Sequence, residues 1–476
     1  MDGLAFILSF VTAVLSVISG LGGGVLYSAF FIILLNFSTN VSVPISSFNI
    51  VCSSILKFVW EMIDRHRKKE PSNVRYDIAA MFTPSVMVGT QFGVMLNIIL
   101  RPWMLSILLF IITILSSIPS STKGIQIFKK EQIENRMKNS HQADEVMKDE
   151  EAVEEISPPT PSTSEVDTIN EKTVLGFGIA NIEEEIFGKG IMNSFLSILS
   201  NKQIKTEEPL RTININETAQ FKSPNPKTKP SPPTLTPAQE RFRMRARRLF
   251  PLDYVAYIVL TVVFLLIITL LKGRKGNSVI DTVSCSDVWW MLSFIMIPIA
   301  LTILFFIVLK MRAETKAMIV AKFSDPLDTI IWDKSTISWM IGFGLLVGLM
   351  SSLLGVGGSF LTVPLFLKFG LTPQKSSSTA SFIAMLSAIS STIQYMLFNL
   401  LYYDYAFMTA VGSLIGAFAA LYWFLPHFRK FNRQSLIVLT LVLTLYISAG
   451  LNLYIGVDYI NSDVKADVVW NTKPVC

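Results

Sequence analysis

Charge is what this chain lacks most. Only 16% of its 476 residues are Asp, Glu, Lys or Arg, against roughly a quarter in a soluble globular protein. Several stretches carry almost none over about 20 residues, the length that crosses a hydrocarbon core of about 30 Å. This excludes an ordinary soluble chain and predicts an all-α polytopic membrane protein, embedded by multiple passes in a lipid bilayer. The net charge of +6 then describes loops and orientation rather than nucleic-acid binding.

Cysteine and histidine are also scarce, with three of each. Cys52 lies in an apolar segment, Cys285 in a short loop and Cys476 at the last position, which leaves no disulfide framework and no CxxC metal pair. His66, His141 and His427 stand in or beside charged loops and read as solvated side chains rather than ligands. No nucleophile constellation or P-loop occurs, and the glycine runs do not follow a strand in an α/β unit. Neither an enzyme, a cofactor nor a metal site is expected. The start Met1-Asp2-Gly3 lacks the basic region of a signal peptide, and the apolar run behind it is too long for the core of one.

What is present is apolar, at 51% hydrophobic residues. Apolar segments run over 4–19, 22–36, 44–60, 77–98, 103–118, 254–271, 288–309, 336–354, 357–369, 377–400, 404–425 and 434–455. Between 119 and 250 the composition changes to an acidic cluster around Asp149, Glu150 and Glu151, proline runs at Pro158-Pro159 and Pro232-Pro233, and a closing set of arginines from Arg241 to Arg248. Such a stretch has too little apolar surface for a core. The expected organisation is a first transmembrane repeat over 1–119, then a largely disordered cytoplasmic linker over 120–250. Two inserted transmembrane helices with a basic loop follow over 251–335, and a second repeat with a C-terminal tail over 336–476. Within the linker, 175–198 is less polar and reads as a short amphipathic helix for an interface or a cytoplasmic partner.

A glycine break splits an apolar run twice, at Gly20-Leu21-Gly22-Gly23-Gly24 and at Gly355-Val356-Gly357-Gly358. As one helix, 4–36 would run about 50 Å at 1.5 Å per residue, far more than the core is thick. Glycines in mid-helix cost roughly 1 kcal/mol each, so a helix, a break and a second short helix are expected, and 336–369 repeats the plan. Basic residues gather in loop 61–76, at both ends of the linker and in loop 310–335, which the positive-inside rule places in the cytoplasm. The basic loop holding His427, Arg429, Lys430 and Arg433 corresponds in the first repeat to Arg101-Pro102, on the other side. Equivalent loops thus exchange charge, as expected if the repeats are inverted and each break is a hairpin without net crossing.

A broken helix inside a membrane presents backbone N–H groups at the start of its second half, where they and the helix dipole favour an anion. Gly22, Gly23, Gly24, Gly355, Gly357 and Gly358 are the candidates; close helix packing by small residues is the alternative. Each break is followed by a serine patch. Ser46, Ser47 and Asn49 in the first copy, and Ser377, Ser378 and Thr379 in the second, offer neutral donors to a small oxyanion. N-capping of the following helix is their other reading. Lys57, one turn before Glu61, either snorkels to the interface or draws an anion inward.

The residues around these motifs resemble the TauE/SafE family of sulfite-exporter-like membrane proteins, in its plant and protist branch. The resemblance rests on the first glycine break, Tyr76-Asp77-Ile78-Ala79-Ala80, Val88-Gly89-Thr90-Gln91-Phe92-Gly93, Pro102-Trp103 and Ser121-Thr122-Lys123-Gly124. In the second half it rests on Leu354-Gly355-Val356-Gly357-Gly358, Pro364-Leu365-Phe366-Leu367 and Pro373-Gln374-Lys375-Ser376-Ser377-Ser378-Thr379-Ala380-Ser381-Phe382. It implies a transporter of sulfite, sulfonates or related organosulfur oxyanions, folded as an inverted pair of four-segment repeats. The expected function is export or uptake of a small anionic substrate by alternating access. The other reading is a non-transporting receptor or scaffold that signals through linker sites such as Ser157, Thr160 and Ser231.

Overall fold

The computed structural model describes residues 2–20, 24–154, 251–272, 286–320, 332–430 and 435–465. The amphipathic segment 175–198, the linker serines and threonine, Gly22 and Gly23 lie outside these. All described elements are helical. The first half comprises α1 (Asp2–Ser19), α2 (Gly24–Leu35), α3 (Thr39–Lys68), α4 (Tyr76–Ile99) and α5 (Pro102–Glu154). The inserted pair is α6 (Leu252–Leu271) and α7 (Asp287–Val320). The second half comprises α8 (Lys334–Leu354), α9 (Ser359–Lys368), α10 (Pro373–Leu397) and α11 (Tyr403–Ala419). A π-helical turn (Ala420–Phe424) then leads to α12 (Leu425–Lys430) and α13 (Ser435–Lys465). Nine helices among the described residues are long and apolar enough to cross a membrane, and α1, α2 and α9 are shorter apolar helices outside that set. Helix α5 passes residue 120, where the linker was expected to begin, and continues to Glu154.

Side-chain partners set the helix directions. Lys57 reaches Ser381 while Glu61 reaches Ser378, so α3 and α10 run antiparallel across each other. Phe48 meets Phe407 and Trp60 meets Phe418, so α3 and α11 run parallel. Gly412 packs on Phe6 and Gly416 on Phe10, so α1 also runs parallel to α11. Since α1 and α3 share a direction, the short α2 between them must turn back. On the other side, α4 runs parallel to α8, with Gly344 on Ser85 and Gly93 on Ser352. It also runs parallel to α10, with Tyr76 on Phe382 and Thr90 beside Ser390. Helices α8 and α10 therefore share a direction and α9 is the return. Both broken segments are hairpins.

The tightest packing is between α4 and α8. A Cβ on Gly348 would collide with the backbone at Val86, so the absence of a side chain lets two helices touch main chain to main chain, as small residues do in membranes. Helix α4 is the central element: almost its whole length is buried, from Tyr76 to Asn97. Large apolar residues on α6, α7 and α11, such as Phe264, Phe305 and Phe407, are exposed. In a membrane protein that is the lipid-facing surface, where apolar exposure carries no hydrophobic cost.

Candidate functional site

The two glycine breaks meet. A Cβ on Gly24 would collide with Val356 and with the carbonyl oxygen of Gly355, so the start of α2 lies directly on the second break. The chain can reverse there because Gly355, Gly357 and Gly358 take φ of 66°, 75° and 63°, and Gly20 takes 75°, values that residues with a Cβ rarely adopt.

A break in a membrane must satisfy its freed backbone groups from neighbouring protein. At the end of α8, Asn97 Nδ2 donates to Leu353 O at 2.6 Å and Tyr395 Oη to Ser352 O at 2.6 Å. The Ser46 hydroxyl donates to Gly355 O at 2.8 Å. The first break is served reciprocally, with the Ser381 hydroxyl donating to Gly20 O at 3.3 Å and Ser377 pressed against Gly20. Serines of each half thus hold the break of the other. Among the described residues, neither the Gly357 nor the Gly358 N–H donates to a backbone carbonyl. Nearby, Ser351 Oγ and Ser387 Oγ stand 3.1 Å apart.

Neither serine patch caps its helix. The N-cap of α3 is Ser38 and that of α10 is Thr372, several residues before the serines. Lys57 does not snorkel: it is 5% exposed, and its ammonium donates to Ser377 Oγ at 3.1 Å and to Ser381 Oγ at 2.9 Å. Glu61 is buried as well, at 7% exposed, and accepts from the Ser378 hydroxyl at 3.0 Å. A cation and a carboxylate four residues apart lie on one face of α3, and both are read by successive turns of α10.

The predicted residues therefore divide into groups. Ser377 joins Lys57 at the first break. Ser46 joins Gly24 and Gly355 at the second, while Gly357 and Gly358 border α10 and Ser351. Ser47 is buried. Ser378 and Thr379 turn toward the ends of α3 and α4, Thr379 Oγ1 accepting from the Arg75 N–H at 3.0 Å. Asn49 stands apart, donating to Thr409 Oγ1 at 3.1 Å and accepting from the Ser413 hydroxyl at 3.4 Å in the α3–α11 contact. Composition alone did not single out Gly20, Ser381 or Glu61. The signal was present as spacing, because Ser381 lies one turn beyond Ser377, and Glu61 one turn beyond Lys57.

Among the described residues no cluster of His, Cys, Asp and Glu fits a metal ion. The model of the family described as sulfite exporter TauE/SafE matches residues 3–135 and 254–449, leaving out 136–253, which holds most of the stretch that reads as a linker. Similar proteins come from Arabidopsis thaliana. Sulfite exporter TauE/SafE family protein 3 is 22% identical over 446 residues, covering 94% of this chain and 76% of that protein. Family protein 5 is 22% identical over 436 residues, covering 91% and 78%. Family protein 1 is 20% identical over 450 residues, covering 94% and 82%. No solved structure matches.

Proposed function

The chain belongs to the sulfite exporter TauE/SafE family, and from that premise we propose that it carries a small sulfur oxyanion across the bilayer by alternating access. The observation that carries this reading is the buried ammonium of Lys57 beside a glycine break, held by two serine hydroxyls from the other half of the chain. An ionisable residue inside a membrane bundle is a functional site by default. An ammonium near an anion about 4 Å away gains roughly 4 kcal/mol at an effective dielectric constant of 20. Serine hydroxyls can turn from the ammonium to the ligand, since each has one donor and two acceptor positions.

The antiparallel α3–α10 crossing and the reciprocal serine–glycine contacts support an inverted pair of repeats. Meeting hairpins offer a centre about which the two halves rock, the common route to alternating access in such folds. Further hydroxyls lie along α10 on its other faces, Ser387 pairing with Ser351 and Ser390 lying 3.2 Å from Thr90 Oγ1.

Flux of sulfite and of a sulfonate into proteoliposomes tests the reading. Lys57→Gln should cut flux about 30-fold or more, because a hydrogen bond to a charge contributes roughly 2 kcal/mol. Bulky residues at Gly23 and Gly358 should abolish flux. Unaltered flux in all three variants would sink the proposed site.

A further inference from the structure

Two buried side chains of opposite charge stand one turn apart on α3. Lys57 donates to Ser377 and Ser381, and Glu61 accepts from the buried Ser378. The hydroxyls that meet them come from neighbouring positions on α10, so a shift of α10 at Ser377 also moves the partner of Glu61. Residues at i and i+4 of a helix have Cβ atoms about 5–6 Å apart. Glu61 lies on the side of Lys57 that leads to the charged end of α3, where Arg65, His66, Arg67 and Lys68 stand.

Other charges at this end form pairs of their own. Lys68 meets Asp64 at 2.9 Å, and Arg65 meets Glu70. At the start of α4, Arg75 holds both carboxylate oxygens of Asp77, at 3.0 and 2.7 Å. Tyr76 lies within electrostatic reach of Glu61, and a phenol is uncharged at neutral pH. Helix α10 adds Lys375, half-buried one turn before Ser378. Helix α11 presents Phe418 and Tyr422 to Trp60, and α12 carries the exposed His427. Residues 14–19 of α1 hold no charge.

Lys57 and Glu61 therefore bring buried charges that sum to zero. A monoanion bound at Lys57 would leave one negative charge in excess, where net charge is costly to bury. One proton on Glu61 restores the balance. Two like charges about 8 Å apart disfavour each other by about 30-fold at an effective dielectric constant of 20. Such linkage is reciprocal: whatever the proton does for the anion, the anion does for the proton.

We propose that Glu61 is the proton-binding residue of the Lys57 site, so that an anion arrives with one proton from solvent and the two are carried together. This rests on the reading of Lys57 as the anion site.

Equilibrium binding of radiolabelled methanesulfonate to the full-length chain in detergent tests it. This probe stays a monoanion between about pH 5 and pH 8, so any pH dependence belongs to the protein. The wild type should bind about tenfold more tightly at the acidic end and take up protons from weak buffer as it binds, at most about one per anion. Glu61→Gln removes the titrating group and keeps an acceptor for Ser378. It should bind with the acidic-end affinity, within about twofold, at both pH values and take up no proton. Should that variant not fold, Ser378→Ala carries the test: it should move the pH midpoint of wild-type affinity by about half a unit or more. Lys57-dependent binding with equal affinity at both ends and no proton uptake would overturn the proposal and leave the Lys57 site standing. Wild-type pH dependence retained in Glu61→Gln, or an unmoved midpoint in Ser378→Ala, would overturn it as well. Wild-type binding in Lys57→Gln, or none in the wild type, would instead remove the Lys57 site and this proposal with it.

Discussion

The two glycine breaks are built alike and furnished differently. Ser46 stands to Gly355 as Ser381 stands to Gly20, each hydroxyl donating to the carbonyl at the break of the other half. Carried forward in register, that correspondence sets Ile50 against Met385 and Lys57 against Thr392. At the first break the polar partners are Ser377, Ser381 and the Lys57 ammonium. At the second, Gly357 faces Ile50 and Ala384. The shared features are those that reverse and bury a helix; the unshared ones carry charge. The lesson is that two alike breaks can differ in charge: on the proposed reading, the break beside Lys57 is the one that attracts an anion.

The comparison can be broken at the scaffold first. Gly355→Val should unfold the second hairpin, since φ is 66° and the new side chain would meet Ser46 and Val43. Strain and overpacking together should cost about 3 kcal/mol or more, visible as a fall in melting temperature and yield. A paired exchange sharpens the chemical half. Ser381→Ile should cut flux about tenfold or more, because it removes a hydrogen bond to a charge. Ile50→Ser, beside Gly357 of the second break, should lower stability by about 2–4 kcal/mol through lost apolar burial and leave flux per folded molecule within about twofold. Equal flux losses in the two variants would erase the asymmetry. Asn49→Ala should cost about 1–2 kcal/mol of stability with flux retained, as its partners lie in the α3–α11 contact. The smallest effect belongs to Gly370→Ala: φ is 86° but the space is open, so thermal unfolding should shift by only about 1 kcal/mol.

Much of the architecture was legible in the sequence because membrane helices announce themselves by length and lack of charge. The hairpins were legible too, since 4–36 is too long for one crossing and too rich in glycine for one helix. The exchange of charge between equivalent loops pointed to inversion, which is part of the proposed reading. Site residues were less legible. Ser46 and Ser377 were chosen for lying close behind the breaks in sequence, yet each serves the break of the other half. Asn49 belongs to the same patch but points along α3 toward α11, because successive helical residues diverge by about 100°. Lys57 read as a snorkelling lysine because its position near the end of an apolar run allows that. Ser377 and Ser381 from α10 hold its ammonium inside.

By itself the sequence determined that this chain lives in a bilayer, where it breaks its helices, and to which family it belongs. Those properties depend on composition and local backbone preference, which need no distant partner. The tertiary structure decided which serine meets which glycine, that one break holds a cation and the other an isoleucine, and that adjacent serines meet Lys57 and Glu61. Each of those is a contact between residues hundreds of positions apart. Packing direction alone brings them together, and no local pattern encodes it.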